Sequence, residues 1–144
     1  MPTFPFTDCP VGPSSAFPNG YTISRPLIWV GLKYGGRSIS NVFSSIIDTG
    51  CDYCVFPADY LDPLGIDTKG LPCGDVKGMG EHHPFYFSNV TLWVDGLGEW
   101  EVYAGFSEYL RGTQSGFLGF RGFVDRFRIE FDCSLKHVSV FPLT

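Results

Sequence analysis

The segment Ser44-Ser45-Ile46-Ile47-Asp48-Thr49-Gly50-Cys51-Asp52-Tyr53-Cys54-Val55-Phe56-Pro57 decides how this chain is read. An apolar run ends on a carboxylate, and Thr and Gly follow at once. A strand at this place buries its backbone and holds Asp48 rigidly at its end. The Thr49 hydroxyl can bond neighbouring backbone. Gly50 allows a tight turn and the close approach of another backbone. Three residues recur by chance, and an Asp that merely caps a turn accounts for Asp48 taken alone. Far downstream, Phe117-Leu118-Gly119 supplies an apolar-apolar-Gly segment able to cross under the Asp48 loop and support it. Between them, Gly78-Met79-Gly80 precedes a strong strand and suits the tip of a hairpin, although ordinary turn glycines explain it equally well.

Working outward, Pro26 to Tyr34 alternates loosely and predicts a strand, Gly35-Gly36 a two-residue turn, and Arg37 to Ile47 a second strand leading into Asp48. Strand character resumes over 52–56. Residues 57–64 hold one helical turn, opened by Pro57 and stopped near Pro63. Residues 65–84 are rich in Gly and charge. Phe85 to Val94 and Glu99 to Phe106 form a strand pair around Asp95-Gly96. Residues 116–119 predict a short strand, 122–127 a helical turn, and 128–132 with 137–142 a final hairpin. Residues 1–25 carry many Pro, Gly and Ser without a clear period and predict an extended arm or loop before a domain spanning 26–144. The expectation is an all-β, mostly antiparallel domain with one or two short helices.

A chain of 144 residues with 44% hydrophobic and 17% aromatic residues suffices for a single core. Its 18 Gly and 11 Pro favour short strands and tight turns over a helix bundle. The net charge of −5, with no Lys/Arg cluster, argues against nucleic acid as a partner. No apolar run approaches the roughly 18–20 residues of a membrane span. The N-terminal residues lack the basic and apolar regions of a secretory signal, so a cytoplasmic chain is expected. The cysteines, Cys9, Cys51, Cys54, Cys73 and Cys133, are odd in number and read as reduced thiols.

Several segments together resemble the retropepsin-like aspartic peptidases, in particular the single-domain bacterial members. They are SSIIDTGCDYCVFP (44–57), LGID (64–67), GMG (78–80), YFSNVTLWV (86–94), FLGFRGFVDRFRIEFD (117–132) and HVSVFP (137–142). The resemblance implies a closed acid-protease barrel, a symmetric homodimer, a peptide or protein substrate and hydrolysis without cofactor or metal. Carried over by position, Asp48 is the catalytic carboxylate, and Thr49 locks the two Asp loops across the dimer axis. Gly50 and Asp52 meet the peptide backbone. Gly78, Met79 and Gly80 form the flap, and Leu118 with Gly119 buttresses the site. Cys51 stands where Ala or Ser is usual. Phe120 follows Gly119 where many members have Arg or Asp, and Arg121 comes one residue later, which leaves open the ion pair that the resemblance implies between that position and Asp52.

Other motifs have plainer readings. Cys51-x-x-Cys54 has metal or redox spacing, but no second such pair exists, and residues three apart on a strand face opposite sides. His82 and His83 read as solvated residues of a polar hairpin. Asp67-Thr68-Lys69 imitates the Asp48 motif, but Lys69 cannot replace the glycine, so it reads as loop. Asp125-Arg126 reads as a structural ion pair or cap. Beside an active peptidase stand two alternatives: a non-catalytic peptide- or protein-binding module on the same dimeric fold, and an ordinary β-barrel interaction domain in which Asp48 is incidental.

Overall fold

The computed structural model describes residues 2–75 and 84–143. Thirteen strands carry the described chain, with short 3-10 turns at Ala58–Tyr60, Glu108–Leu110 and Val124–Arg126. The strands are β1 (Thr3–Pro5), β2 (Thr7–Val11), β3 (Tyr21–Arg25), β4 (Leu27–Tyr34), β5 (Arg37–Ser38), β6 (Phe43–Ile47) and β7 (Val55–Pro57). They continue as β8 (Cys73–Asp75), β9 (Pro84–Val94), β10 (Gly98–Ser107), β11 (Ser115–Leu118), β12 (Phe127–Asp132) and β13 (His137–Pro142). Among the described residues no helix is long and apolar enough to cross a membrane.

The barrel closes through six strands in the order β4-β6-β11-β7-β10-β9, and β9 returns to pair with β4. Closure removes the exposed edges that an open sheet of this length would present. The pairing is mostly antiparallel, as expected, but the barrel is mixed: β11 runs parallel to β6, and β10 parallel to β7. Parallel neighbours need long crossovers, so the segments after β6 and after β7 must travel before returning, and this places the Asp48 loop between non-consecutive strands.

Alternation sets the core. In β6, Phe43, Ser45 and Ile47 point inward, and in β9 Val90, Leu92 and Val94 do the same. They meet Ile28, Val30, Phe56, Val102, Phe106, Leu118 and Phe123 in one buried cluster. Trp100 joins it with its indole N–H satisfied by the Gly122 carbonyl at 2.8 Å. Phe123 and Phe127 pack beside that ring, and the Arg126 guanidinium lies over it.

Three expectations are corrected in detail. The strand expected over 37–47 is two strands, because Ile39 donates its N–H to Leu32 and residues 39–42 leave the ladder before β6 begins. The Gly-rich stretch 65–84 contains β8, paired to the start of β9. The N-terminal arm is extended but paired: β1 joins β13 in a three-stranded sheet with β12, and β2 with β3 forms a separate hairpin. The turn at Gly35-Gly36 has φ of 54 and 79°, as a tight hairpin requires.

Candidate active site

Asp48 leaves the end of β6 at the point where β11 runs beside it. Ile47 pairs with Leu118, and the Asp48 N–H donates to the Leu118 carbonyl at 3.0 Å. The chain then turns. Gly50 N–H donates to Asp48 Oδ1 at 2.9 Å, and Cys51 N–H to the Asp48 carbonyl at 3.2 Å. Asp48 is half-buried, whereas Thr49 and Gly50 are exposed. The carboxylate is held by its neighbours from below and stands open above.

The support lies in the crossing of residues 118–121 behind this loop. Phe120 N–H donates to the Cys51 carbonyl at 2.7 Å, and Arg121 N–H to the Asp52 carbonyl at 2.9 Å. Gly119 makes the crossing possible: a β-carbon there would overlap the Tyr53 carbonyl and stand 2.8 Å from the Cys51 carbonyl oxygen. Only glycine fits. The Cys54 thiol, buried beneath, donates to the Arg121 carbonyl at 3.7 Å, and burial pushes its pKa up to about 12. The Asp52 and Arg121 side chains form no ion pair with each other; their segments are joined through backbone.

A second apolar cluster flanks Asp48. It consists of Val55, Phe85 and Leu110, with Cys51, Tyr53, Phe87 and Phe117 packed against it. Strand alternation explains the position. Leu118 points into the main core and is wholly buried, so Phe117, one residue earlier, faces the other way. Tyr53 packs edge-on to Phe87 and Phe85. Burial, and after it the charges of Asp48 and Asp52, pushes the Cys51 thiol above its ordinary range; burial likewise raises Tyr53. Both side chains are therefore neutral polar tips on an aromatic wall close to the carboxylates.

The wall is fixed at its far side by a surface clamp. Arg111 bonds Glu108 at 2.7 and 2.9 Å and reaches Asp59 at 3.2 Å, while Asp59 also accepts the Gly112 N–H at 2.6 Å. The hydrogen bonds from Arg111 hold the Glu108 carboxyl below its usual range. This ties the 3-10 turn at Ala58–Tyr60 to the one that carries Leu110.

The residues anticipated from sequence fall into three groups. Asp48, Thr49, Gly50, Asp52, Leu118 and Gly119 come together at one end of the barrel. Leu118 contributes its carbonyl; its side chain is wholly buried in the core, whereas Phe117 packs against the second cluster. Gly78, Met79 and Gly80, with Glu81, His82 and His83, lie outside the described residues. Cys51 and Cys54, in the segment before β7, belong to different clusters. Asp125 sits inside the 3-10 turn Val124–Arg126, and its carboxylate accepts the Gly122 N–H at 3.0 Å. The aromatic wall was missed, although Phe85-Tyr86-Phe87 at the head of β9 was visible as a strand; Leu110 had no sequence signal.

The barrel, its parallel β6–β11 pair and the crossing under an Asp loop define a retropepsin-like fold. The chain is similar over nearly its whole length to the crystal structure of a retropepsin-like aspartic protease from Rickettsia conorii. The match has a TM-score of 0.55 at 12% identity and covers 96% of this chain and 92% of that one. The retroviral protease-like domain of Ddi1 from Leishmania major aligns at a TM-score of 0.48 and 11% identity, over 83% of this chain and 95% of that one. No protein-family model matches the sequence, and no curated protein matches it either.

Proposed function

We propose that this chain is one half of a homodimeric aspartic endopeptidase that hydrolyses peptide bonds by water activated between two Asp48 carboxylates. The observation that carries the reading is the support of Asp48: its backbone is bonded to Leu118, its carboxylate to Gly50, and its loop to Phe120 and Arg121 behind it. Thr49 and Gly50 stay exposed, where a second copy can meet them. One chain supplies one complete Asp-Thr-Gly, and a symmetric pair supplies two.

Two such carboxylates at close quarters hold one proton between them, and the titration belongs to the pair. The ionised Asp48 takes a proton from water, whose oxygen attacks the scissile carbonyl carbon. The protonated Asp48 gives its proton to the carbonyl oxygen. The tetrahedral gem-diol collapses: the proton taken from water passes to the amine nitrogen, the C–N bond breaks, and one diol hydroxyl returns its proton to the other Asp48, restoring the shared proton. Gly50 and Asp52 would meet the peptide backbone. Tyr53, Phe85, Phe87 and Phe117 favour apolar side chains next to the scissile bond. Gly78, Met79 and Gly80 would cover the substrate.

The test is a mixed peptide library incubated from acidic to neutral pH, with Asp48→Asn as control. Cleavage at acidic to mildly acidic pH, unaffected by EDTA and abolished in Asp48→Asn, supports the reading. Equal cleavage by the variant sinks it. Peptide binding without turnover assigns the chain instead to a binding module on the same fold.

A further inference from the structure

Among the described residues, the β2–β3 hairpin is the one strand pair outside both larger sheets. Among the described residues, β2 and β3 pair with each other and with no other strand. No residue of 7–25 packs into either buried cluster. An isolated two-stranded ribbon is at best marginally stable in water and needs something to pack on.

Its two faces differ. Directly opposed residues share a face, so the register places Val11 with Tyr21 and Cys9 with Ile23 on one side, with Thr7 and Arg25 at its base. Asp8 with Ser24 and Pro10 with Thr22 occupy the other, and Ser24 donates a hydrogen bond to Asp8 there. The connecting loop is closed by local bonds: Phe17 N–H to Ser14 Oγ at 3.1 Å, and Gly20 N–H to the Phe17 carbonyl at 2.9 Å. This folds Phe17 edge-on against Tyr21, with ring centroids 4.7 Å apart, and so lengthens the apolar side. Phe17, Tyr21 and Ile23 remain 52, 42 and 39% exposed. The ribbon therefore has one polar face and one that is apolar beyond its base, where Phe17, Tyr21 and Ile23 are uncovered.

The place of its base says what covers it. β3 passes through Pro26 into β4, whose first residue, Leu27, is paired with Ile46, two residues before Asp48. The hairpin thus leaves the barrel at the Asp48 end. If two copies meet with Asp48 on their two-fold axis, as the proposed function has it, a hairpin from each rises beside that axis. The exposed Asp48-Thr49-Gly50 turn is far smaller than the roughly 800 Å² per partner that a stable interface buries. The hairpin supplies apolar surface at the same end of the molecule.

We propose that the Thr7–Arg25 hairpin is an arm that clasps a second copy of this chain, laying its Cys9, Val11, Phe17, Tyr21 and Ile23 face on the partner beside the shared site. The proposal rests on the homodimeric reading above. The arm exchange is reciprocal, so each hairpin also walls the end of the cleft to which the partner contributes its Asp48.

The experiment is sedimentation velocity of the full chain over a concentration series, for wild type, for Tyr21→Ser with Ile23→Ser, and for Thr22→Ala on the opposite face. Thermal unfolding checks that the barrel is intact. The proposal expects the double variant to raise the dimer dissociation constant by at least about tenfold, with Thr22→Ala like wild type. Equal self-association of wild type and double variant, equal weakening by both faces, or a wild type that is monomeric at every concentration overturns it. Peptide cleavage on the same samples separates the two claims. A dimer lost with the hairpin face but inactive on peptides leaves the clasp standing and defeats the peptidase. An active dimer indifferent to the hairpin does the reverse.

Discussion

Asp48-Thr49-Gly50 and Asp67-Thr68-Lys69 are built alike at short range. In each, the Asp Oδ1 accepts the backbone N–H two residues on, at 2.9 Å. This is the local turn that Asp favours wherever the chain bends. Beyond it the two regions part. Asp48 continues a barrel strand, bonds Leu118 across a parallel pair, and rests on a crossing segment held by Phe120 and Arg121. Asp67 sits on an exposed loop with Thr68, Lys69 and Gly70 exposed beside it. The same turn is a solvated bend in one place and a held carboxylate in the other. The three residues do not make the site; what passes behind them does.

The largest expected effect tests this directly. Asp48→Asn should lower peptide cleavage by at least about a thousandfold, since Asn keeps the shape and an acceptor oxygen but cannot serve as base. Asp67→Asn should cleave as wild type does. Progress curves on one apolar peptide measure both. Comparable losses at the two positions break the comparison.

The next effect is on folding. Gly119→Ala puts a methyl group into the Tyr53 carbonyl, which is backbone and cannot swing away. It should cost about 3 kcal/mol or more by urea unfolding, within the range of severe overpacking and backbone strain. Gly70→Ala meets nothing within 4 Å and carries only its φ of +81°, a penalty of about 1–2 kcal/mol. If the two variants are equally stable, the crossing is looser than its hydrogen bonds indicate.

How much of this was legible from the sequence follows from the same contrast. Strands with regular alternation, such as Phe85 to Val94, were readable because period two is written in every second residue. Asp48, Leu118 and Gly119 were readable because three unusual neighbours recur in order along the chain. The parallel pairing of β6 with β11 was not, since nothing in either strand encodes a partner some seventy residues away. Nor was the role of Leu110, a single apolar residue in a polar stretch, placed on the wall by the Arg111 clamp. The β2–β3 pairing within the N-terminal arm was hidden by its many prolines, which fit strand edges as well as loops.

A titration sharpens the comparison from below the site. Cys54 hangs on the Arg121 carbonyl, and its folded-state pKa, about 12, lies above the ordinary thiol value of 9.0. A group raised on folding contributes stability fully below its unfolded value and loses it as pH climbs towards the folded one. Wild type should therefore lose stability between about pH 9 and 12, and Cys54→Ala should lose less over that window. Thiol labelling of the folded protein at pH 8 should spare Cys54 while modifying the exposed Cys73 and Cys133. Rapid labelling of Cys54 would mean that the crossing opens easily.

The smallest effect concerns the turns themselves. Asp48→Ala and Asp67→Ala each delete one side-chain acceptor for one backbone N–H, at the same separation and the same distance. Such a bond contributes about 0.5–1.5 kcal/mol net. Both freed N–H groups lie at exposed positions, Gly50 and Lys69, where water can take the place of the carboxylate. The two substitutions should therefore cost the same to within about 0.5 kcal/mol, although under the proposed function only Asp48→Ala removes cleavage. Paired urea denaturation of the two variants decides it. If Asp48→Ala costs much more, the carboxylate also holds the crossing together, and the support runs in both directions. If it instead stabilises the chain, the barrel holds Asp48 at an energetic cost that its chemistry requires. Equal costs would place the whole difference between the two turns in the strands beneath Asp48, with none of it in Asp48-Thr49-Gly50 itself.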